Sequence, residues 1–391
     1  MPPFLDRFSR IHSKNREYIP EIDGLRFFAI LAVVLYHLQT HWLRIQPEGM
    51  QQLAMEHPLF HLVDRLGLGV YVFFTISGFI LALPFAQHHL QGAPKPILKR
   101  YYSRRLTRIE PPYLIAMLLL FFVGLGTHRF SFTEALPHLA ASLGYVHHFV
   151  YGEWSSINPV AWSLEVEVQF YLLAPFFGLL FAIRQPPLRW AALLISLFLF
   201  VIITWQGYQT LDEYHLEKSL LTAGQYFLLG VLLAEVYLTR WKDQVTQFPW
   251  VGDILTLLGM FLLWFGKHNL HLTNQILFLA GTFLLFYGAF RGRWVRAFFR
   301  QPWLTTIGGM CYSIYLWHYA FIVGVLPITT SIGQNVGYPL SFLIQILITL
   351  PLLLTLSALY FRWFERPFMN PNWLGHLQKW RKRIGTNKKS L

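Results

Sequence analysis

The chain of 391 residues is 54% hydrophobic and only 13% charged, and its mean hydropathy is +0.41. This composition excludes a disordered chain, which contains few apolar residues, and a large soluble domain, which carries roughly 25% charged residues. Aromatic residues reach 17%, as is typical of proteins with aromatic belts at the membrane interfaces. The single cysteine, Cys311, excludes a disulfide framework and a multi-cysteine metal site. We therefore predict an all-α, polytopic membrane protein.

Ten apolar stretches come close to the roughly 20 residues that cross a bilayer as a helix. They lie at about 22–42, 68–88, 110–126, 160–183, 190–206, 219–239, 249–266, 271–290, 310–327 and 340–364. No segment between them is long and polar enough to form a separate soluble domain. We predict a single transmembrane domain over residues 1–391, with a helical bundle at about 20–370 and a basic tail at about 366–391.

The basic residues give the predicted bundle an orientation. If the N-terminus lies in the cytoplasm, the inner segments and the two termini hold 26 of the 32 Lys and Arg residues, and the outer loops hold five. Cytoplasmic loops of membrane proteins are enriched in Lys and Arg, so we expect both termini in the cytoplasm and the protein in the cytoplasmic membrane. Orientation and contact with anionic lipids also explain the net charge of +13 without a nucleic-acid partner.

The first span carries ionisable residues, which need a partner or a function inside a membrane. Arg26 and His37 are 11 residues apart, so they share one stripe of a helix, with His37 about 16 Å farther along the axis. Asp23 precedes Arg26 by three residues and faces the same way. A snorkelling arginine and a histidine bonded to a neighbouring helix would explain this pattern equally well.

The second span and the inner loop that follows it carry different signals. The Ser77–Gly78 pair favours close helix packing rather than chemistry. The loop, ILKRYYSRRLTRIEPPY, clusters Arg104, Arg105 and Arg108. Clustered arginines suit bidentate phosphate binding, although a role in orientation alone is nearly as well supported. We expect the Pro111–Pro112 pair to break or begin a helix here.

The longest outer loop, about 127–159, is rich in histidine and aromatic residues. Ser131 and Glu134 have the spacing of a capping box. This spacing predicts an interfacial helix that continues through His148.

The fourth span begins NPVAWSLEVEVQFYLLAPF, in which Ser163, Glu167 and Tyr171 form an i, i+4, i+8 stripe. Glu165 lies about 200° from Glu167 around the helix, so the two carboxylates cannot face one cavity. Glu167 has a predicted depth similar to that of His37, and a carboxylate there could orient the imidazole. A carboxylate bonded to Tyr or Trp for structure alone is the alternative.

The ninth span, IGGMCYSIYLWHYAFIV, places Tyr312, Tyr315 and His318 within two helical turns. The intramembrane histidine again needs a partner. No internal repeat of the kind that marks many transporters is evident in the chain.

Six motifs in order make the chain resemble the membrane-bound acyltransferase 3 family, which modifies carbohydrates of the bacterial envelope. They are IDGLRFFAILAVVLYH, FFTISGFIL, KRYYSRRLTRIEPPY, WSLEVEVQFYLL, YSIYLWHYA and LYFRWFERPFMN, and they cover residues 20–370. The resemblance implies an acyl-CoA donor, usually acetyl-CoA, and a sugar hydroxyl as acceptor at or beyond the outer leaflet. Arg26 and His37 match a residue pair that the family needs. Larger members carry an additional C-terminal esterase-like domain.

The resemblance and the residue pattern together give a chemical hypothesis without a metal ion. His37 is the general base, since histidine titrates near neutral pH, and Glu167 orients it. The cytoplasmic arginine cluster holds the CoA phosphates while the pantetheine arm passes Arg26. Further residues are assigned to the substrates, namely Asp23, Tyr151, Trp154, Trp162, Ser163, Tyr312 and His318.

The competing hypothesis is a secondary transporter or a flippase for a lipid-linked sugar. Such proteins also bury His, Arg and Glu side chains. They more often show repeats and paired helices broken by Gly or Pro, and neither is clear in this chain. The sequence therefore favours the acyltransferase, whose acceptor would be a glycan such as O-antigen or exopolysaccharide.

Overall fold

The computed structural model describes residues 8–10, 17–210, 218–266, 271–332 and 336–370, and this part of the chain contains helices and no strand. The all-α prediction is confirmed. The helices are α1 (Pro20–Arg44), α2 (Glu48–Glu56), α3 (Pro58–Asp64), α4 (Gly69–Gln91), α5 (Leu98–Gly126), α6 (Phe132–Leu143), α7 (His147–Tyr151), α8 (Trp162–Phe177), α9 (Pro186–Thr210), α10 (Leu220–Val236), α11 (Pro249–Phe265), α12 (Leu272–Arg291), α13 (Trp294–Phe299), α14 (Pro302–Gly309), α15 (Cys311–Thr329) and α16 (Tyr338–Tyr360). Most of the predicted basic tail, residues 371–391, lies outside the described residues.

Eight helical segments among the described residues are long and apolar enough to cross a membrane. They are Pro58–Gln91, Leu98–Gly126, Pro159–Ala182, Pro186–Gly207, Leu220–Trp241, Leu272–Arg291, Cys311–Thr329 and Tyr338–Met369. These segments overlap eight of the ten predicted spans. The other two predicted spans are also helices: α1 has 25 residues, several of them polar, and α11 has 17. The chain is a multi-pass membrane protein.

Helix α5 has 29 residues and continues through the Pro111–Pro112 pair, so it is longer than the predicted third span. The expectation that these prolines break or begin a helix was therefore wrong. Neighbouring helices can support backbone around a proline inside a membrane. Next to the prolines, the hydroxyl of Tyr312 donates to the carbonyl of Ile109 over 2.9 Å, and that of Tyr360 donates to the carbonyl of Pro112 over 2.5 Å, so two neighbouring segments are bonded to this part of the helix. The arginine cluster thus lies on a helix that continues into the membrane.

Close contact between α4 and α10 forms the centre of the bundle. A methyl group at Gly78 would lie 2.1 Å from the carbonyl oxygen of Phe227, and one at Gly230 would lie 2.2 Å from that of Thr75. No side chain fits in either space, so glycine is required for the two helices to touch. The packing role predicted for Gly78 is confirmed, and it fixes the position of the neighbouring Ser77.

The outer loop forms two helices instead of the one predicted. The Ser131 hydroxyl accepts from the backbone N–H of Glu134, and the Glu134 carboxylate accepts from the Ser131 N–H, so the predicted capping box is present. Helix α6 ends at Leu143 because Tyr145 adopts a positive φ of 57°. Helix α7 then carries His148, whose backbone N–H donates to the Glu165 carboxylate over 3.0 Å.

Candidate functional site

A pocket lies among α1, α4, α5, α8 and α15, and we call it the central pocket. The pocket has a cavity volume of about 90 Å³, which is room for several water molecules. Its lining combines apolar walls with a few charged and hydroxyl groups. The lining residues are Arg26, Val70, Phe73, Phe74, Ile76, Ser77, Ile80, Leu81, Arg105, Arg108, Ile109, Ser163, Leu164, Glu167, Tyr171, Cys311, Tyr312 and Tyr315.

Two arginines of α5 give the pocket its positive end. Arg105 and Arg108 are one helical turn apart and both line it, whereas Arg104 does not. The guanidinium of Arg105 lies 5.8 Å from the centre of the Tyr171 ring. Within the described ranges neither Arg105 nor Arg108 donates a hydrogen bond or forms an ion pair. Two of the three arginines in the predicted cluster therefore line the pocket, with hydrogen-bond donors available for an anion.

Arg26 is held at the pocket wall by Asp23. A guanidinium nitrogen of Arg26 lies 2.5 Å from Oδ1 of Asp23, and the same oxygen lies 3.0 Å from a guanidinium nitrogen of Arg10. Asp23 is 4% exposed and does not line the pocket. The prediction that Asp23 and Arg26 face the same way is confirmed, and the two residues form an ion pair. The Asp23 carboxylate binds both arginines. Its direct contact with substrate stays a prediction, since Asp23 is not among the residues that line the pocket.

The predicted stripe on α8 faces the central pocket, since Ser163, Glu167 and Tyr171 all line it. Glu165 turns away toward α7, as its angular position requires. The hydroxyl of Ser77 donates to Oε1 of Glu167 over 2.5 Å. Because this hydroxyl is the partner of the carboxylate, the predicted pairing of Glu167 with His37 is not what the structure contains.

A second polar cluster joins α8 to α15. The hydroxyl of Tyr315 donates to the carbonyl oxygen of Val160 over 2.9 Å and lies 2.6 Å from the hydroxyl of Ser163. Tyr312, one turn earlier on α15, lines the pocket and donates to the α5 backbone. Both tyrosines therefore fix α15 against the helices that carry the charged groups.

His37 is paired with His318. Nδ1 of His37 lies 3.1 Å from Nε2 of His318 and 3.0 Å from the carbonyl oxygen of Val33. Nδ1 of His318 lies 2.7 Å from the carbonyl oxygen of Tyr315. His318 is completely buried and His37 is half-buried, and neither lines the central pocket. The partner that the intramembrane histidines require is in each case the other histidine.

Tyr315 connects the histidine pair to the pocket. Its ring centre is 5.3 Å from that of His318, and the two histidine ring centres are 5.0 Å apart. One aromatic side chain thus separates the end of the central pocket from the two histidines.

The predicted acceptor aromatics form two groups. Trp154 and Trp162 pack edge to face at 5.9 Å, and Trp162 contacts the pocket residue Phe74 at 6.1 Å. Tyr151 instead stacks on His138, with ring centres 4.3 Å apart. Trp154 is half exposed, and the ammonium group of Lys218 lies over both tryptophan rings, 5.5 Å from the centre of Trp154 and 5.4 Å from that of Trp162.

Comparison with known proteins places the geometry in context. A family model described as an acyltransferase domain matches residues 19–362. This chain belongs to the acyltransferase 3 family. A Staphylococcus aureus (strain COL) protein whose name marks it as a candidate O-acetyltransferase is 28% identical in an alignment of 385 residues that covers 91% of this chain. The O-acetyltransferases OatA of strains NCTC 8325 and COL are each 27% identical over 92% of this chain.

The chain spans 58% of the length of these curated relatives. No solved structure matches the chain. Among the described residues of this acyltransferase domain, no group of three or more His, Cys, Asp and Glu side chains could hold a metal ion.

The structure also contains polar contacts, in and near the central pocket, of residues that the sequence did not single out for chemistry. Ser77 was interpreted as a packing residue, yet it donates to Glu167. Ser313 donates from its backbone N–H and its hydroxyl to the buried carboxylate of Glu365, over 3.1 and 2.5 Å. Ser77 could have been suspected because it sits beside a glycine that brings two helices into contact. The Glu365 contact depends on the path of a distant helix and has no local signal.

Proposed function

We propose that the protein is an O-acyltransferase of the cytoplasmic membrane. It takes an acyl group, in our proposal acetyl, from cytoplasmic acyl-CoA and transfers it to a hydroxyl of a cell-envelope carbohydrate on the outer side. The acceptor class is a glycan or lipid-linked sugar such as lipopolysaccharide or exopolysaccharide. The observation that carries the proposal is a pocket lined by two arginines that form no hydrogen bond or ion pair with a described residue, next to a histidine pair, in a chain of an acyltransferase family.

The phosphates of the donor bind Arg105 and Arg108. Arginine matches the geometry of phosphate oxygens with two parallel hydrogen bonds. Both side chains line the pocket and use none of their donors on a described residue. They lie on the part of the chain that the charge distribution assigns to the cytoplasm, where acetyl-CoA is available.

The pantetheine arm extends along the apolar wall of the central pocket. Val70, Phe73 and Ile80 of α4 offer the wall, and Arg26 lines the same pocket. Glu167 and Ser77 supply polar atoms for the amide groups of the arm. The thioester then comes to the end of the pocket at Tyr315, whose ring contacts the histidine pair.

His37 acts as the general base in acyl transfer. The acceptor oxygen attacks the thioester carbonyl as its proton leaves, and a positioned histidine contributes about 10²–10⁴-fold to such a step. The acceptor sugar approaches from the outer loop, where Trp154 and Trp162 provide apolar faces for the sugar ring. Tyr151, which is stacked on His138, lies in the same loop.

The test is transfer from labelled acetyl-CoA by the purified protein in lipid nanodiscs. We expect release of free CoA that depends on the protein and labelling of an envelope glycan extract. A transporter or flippase would release no CoA, and that result would reject the proposal. Mass spectrometry of envelope glycans from cells with and without the protein then identifies the acceptor by the mass of one acetyl group.

Labelling of introduced cysteines tests the proposed sidedness. Glu153 lies in the outer loop and Ser103 at the start of α5, and both are exposed, whereas the native Cys311 is buried. A membrane-impermeant maleimide added to intact spheroplasts should label Glu153→Cys and leave Ser103→Cys unlabelled. Labelling of Ser103→Cys alone would reverse the orientation and place the arginines outside.

A further inference from the structure

The two histidines form a pair whose proton positions can be worked out from their neighbours. Nδ1 of His318 lies 2.7 Å from the carbonyl oxygen of Tyr315. A carbonyl oxygen only accepts hydrogen bonds, so this nitrogen carries a proton. His318 is completely buried and has no ion pair among the described residues, so it is neutral. Its Nε2 therefore holds a lone pair and can only accept.

The same reasoning fixes the proton of His37. Its Nδ1 faces two acceptors, Nε2 of His318 at 3.1 Å and the carbonyl oxygen of Val33 at 3.0 Å. A flipped ring would present a carbon to both acceptors and lose both bonds. Nδ1 of His37 thus carries the proton of the neutral ring, and Nε2 carries the lone pair.

Nε2 of His37 is free for chemistry. It has no hydrogen-bond partner in the described part of the chain, and it is not among the buried unpaired atoms there. Part of the surface of Nε2 is therefore accessible. The Val33 carbonyl alone would hold the proton less well, because a carbonyl inside a helix also accepts the backbone N–H four residues later.

We propose that His318 is a positioning residue that keeps the proton of neutral His37 on Nδ1 and so aims the Nε2 lone pair at the acceptor hydroxyl. This inference rests on the proposed function. As the acceptor oxygen bonds to the thioester carbon, its proton passes to Nε2 of His37. The C–S bond then breaks, and the CoA thiolate takes that proton to leave as the thiol. His318 accepts the Nδ1–H bond throughout and stabilises the transient imidazolium, as a neutral counterpart of a triad carboxylate.

Nitrogen-15 NMR of histidine-labelled protein in bilayers reads the proton position directly. At a pH where both rings are neutral, we expect His37 to be protonated at Nδ1 and not at Nε2. The His37 signals are assigned as those that the His37→Gln variant lacks. Wild-type protein with the proton on Nε2 of His37 would overturn the proposal, whether or not the protein is active.

Variants of His318 separate positioning from packing. His318→Gln can still offer an amide oxygen to Nδ1 of His37, and we expect turnover within a few-fold of wild type. His318→Leu offers no acceptor, and we expect mixed His37 tautomers and a turnover about 10–100-fold lower, with acetyl-CoA affinity unchanged. Tyr319→Leu is the matched control, since the Tyr319 ring contacts His37 at 5.6 Å without a hydrogen bond. It should keep the tautomer.

A folded His318→Leu protein with wild-type turnover and an unchanged tautomer would overturn the proposal, and so would equal losses in the Leu and Gln variants. If His318→Leu does not fold, the wild-type spectrum and the Gln variant still decide. Failure of the proposed function looks different: wild-type protein would release no CoA from acetyl-CoA, while the tautomer remains measurable.

Discussion

The central pocket and the histidine pair lie next to each other but are built on different principles. The pocket contains charge, with Arg105 and Arg108 unpaired among the described residues and Arg26 bonded to a carboxylate. The pair of His37 and His318 is held by carbonyl oxygens and by the two rings themselves. Charge suits the recognition of phosphate, whereas a fixed neutral tautomer suits proton transfer. Binding and chemistry should therefore respond to different substitutions.

The largest effect is expected at His37, where loss of the base should leave donor binding intact. His37→Gln keeps a similar volume and removes the titrating nitrogen, so we expect turnover to fall by about 10²–10⁴-fold. Acetyl-CoA affinity, measured by calorimetry, should stay near that of wild type. His41→Gln, one turn later in α1, is the control and should keep its turnover. Near-normal turnover in a folded His37→Gln protein would leave His37 as a structural residue.

The converse change should affect donor binding and leave chemistry intact. Changing both Arg105 and Arg108 to Gln removes two charge-assisted contacts, each worth about 1.5–3 kcal/mol. We expect the Kd for acetyl-CoA to rise by at least about 100-fold. Arg104→Gln removes the same charge from the same helix outside the pocket and should change the Kd little. Equal effects of the double variant and the control would assign these arginines to membrane orientation alone.

A smaller effect is expected at Glu167, which distinguishes the observed contact from the predicted one. In the Glu167→Gln variant, the amide oxygen still accepts a hydrogen bond from Ser77. The variant weakens one hydrogen bond to acetyl-CoA, and a bond of ordinary strength contributes about 0.5–1.5 kcal/mol. The KM for acetyl-CoA should rise by about tenfold or less, with kcat nearly unchanged. A large fall in kcat with an unchanged KM would instead show that Glu167 orients His37 during turnover.

The last effect concerns the stability of the outer loop and not turnover, and it depends on pH. Burial and the neighbouring His138 lower the pKa of His147 to about 4, whereas an unfolded histidine titrates near 6.5. The folded loop binds fewer protons between these values, so its stability is complete above about pH 6.5 and falls as the pH drops toward 4. Hydrogen exchange of residues 132–151, corrected for intrinsic rates, should be faster at about pH 5 than at neutral pH. A His147→Gln variant with the same pH response would contradict this cause.

Hydropathy and charge were sufficient to predict the helical bundle, because apolar segments of fixed length are required to cross a bilayer. Helical periodicity also predicted that Ser163, Glu167 and Tyr171 share one face, and all three line the pocket. The extent of α5 could not be predicted. The helix continues through its two prolines beside the hydroxyl groups of Tyr312 and Tyr360, which bond to the carbonyls of Ile109 and Pro112 and come from distant segments of the chain.

The hydrogen-bond partners of the buried polar groups could not be predicted from the sequence, and the reason is geometrical. Depth along a helix follows from residue number, but the rotation of one helix relative to another follows only from packing. Glu167 and His37 were predicted at similar depths, yet the carboxylate faces Ser77 and the imidazole faces His318. For Asp23 and Arg26 the shared face could be predicted, because both residues lie on one helix, and the structure shows the two side chains as an ion pair.

The most direct test of this division between binding and chemistry is a cryo-EM structure of the protein with CoA bound in nanodiscs. We predict the phosphates at Arg105 and Arg108 and the thiol end beside Tyr315, pointing toward His37. A second cavity near the start of α1, lined by Arg296 and Arg300 among others, offers the competing location. CoA phosphates in that cavity, or a thiol that points away from Tyr315, would contradict the account.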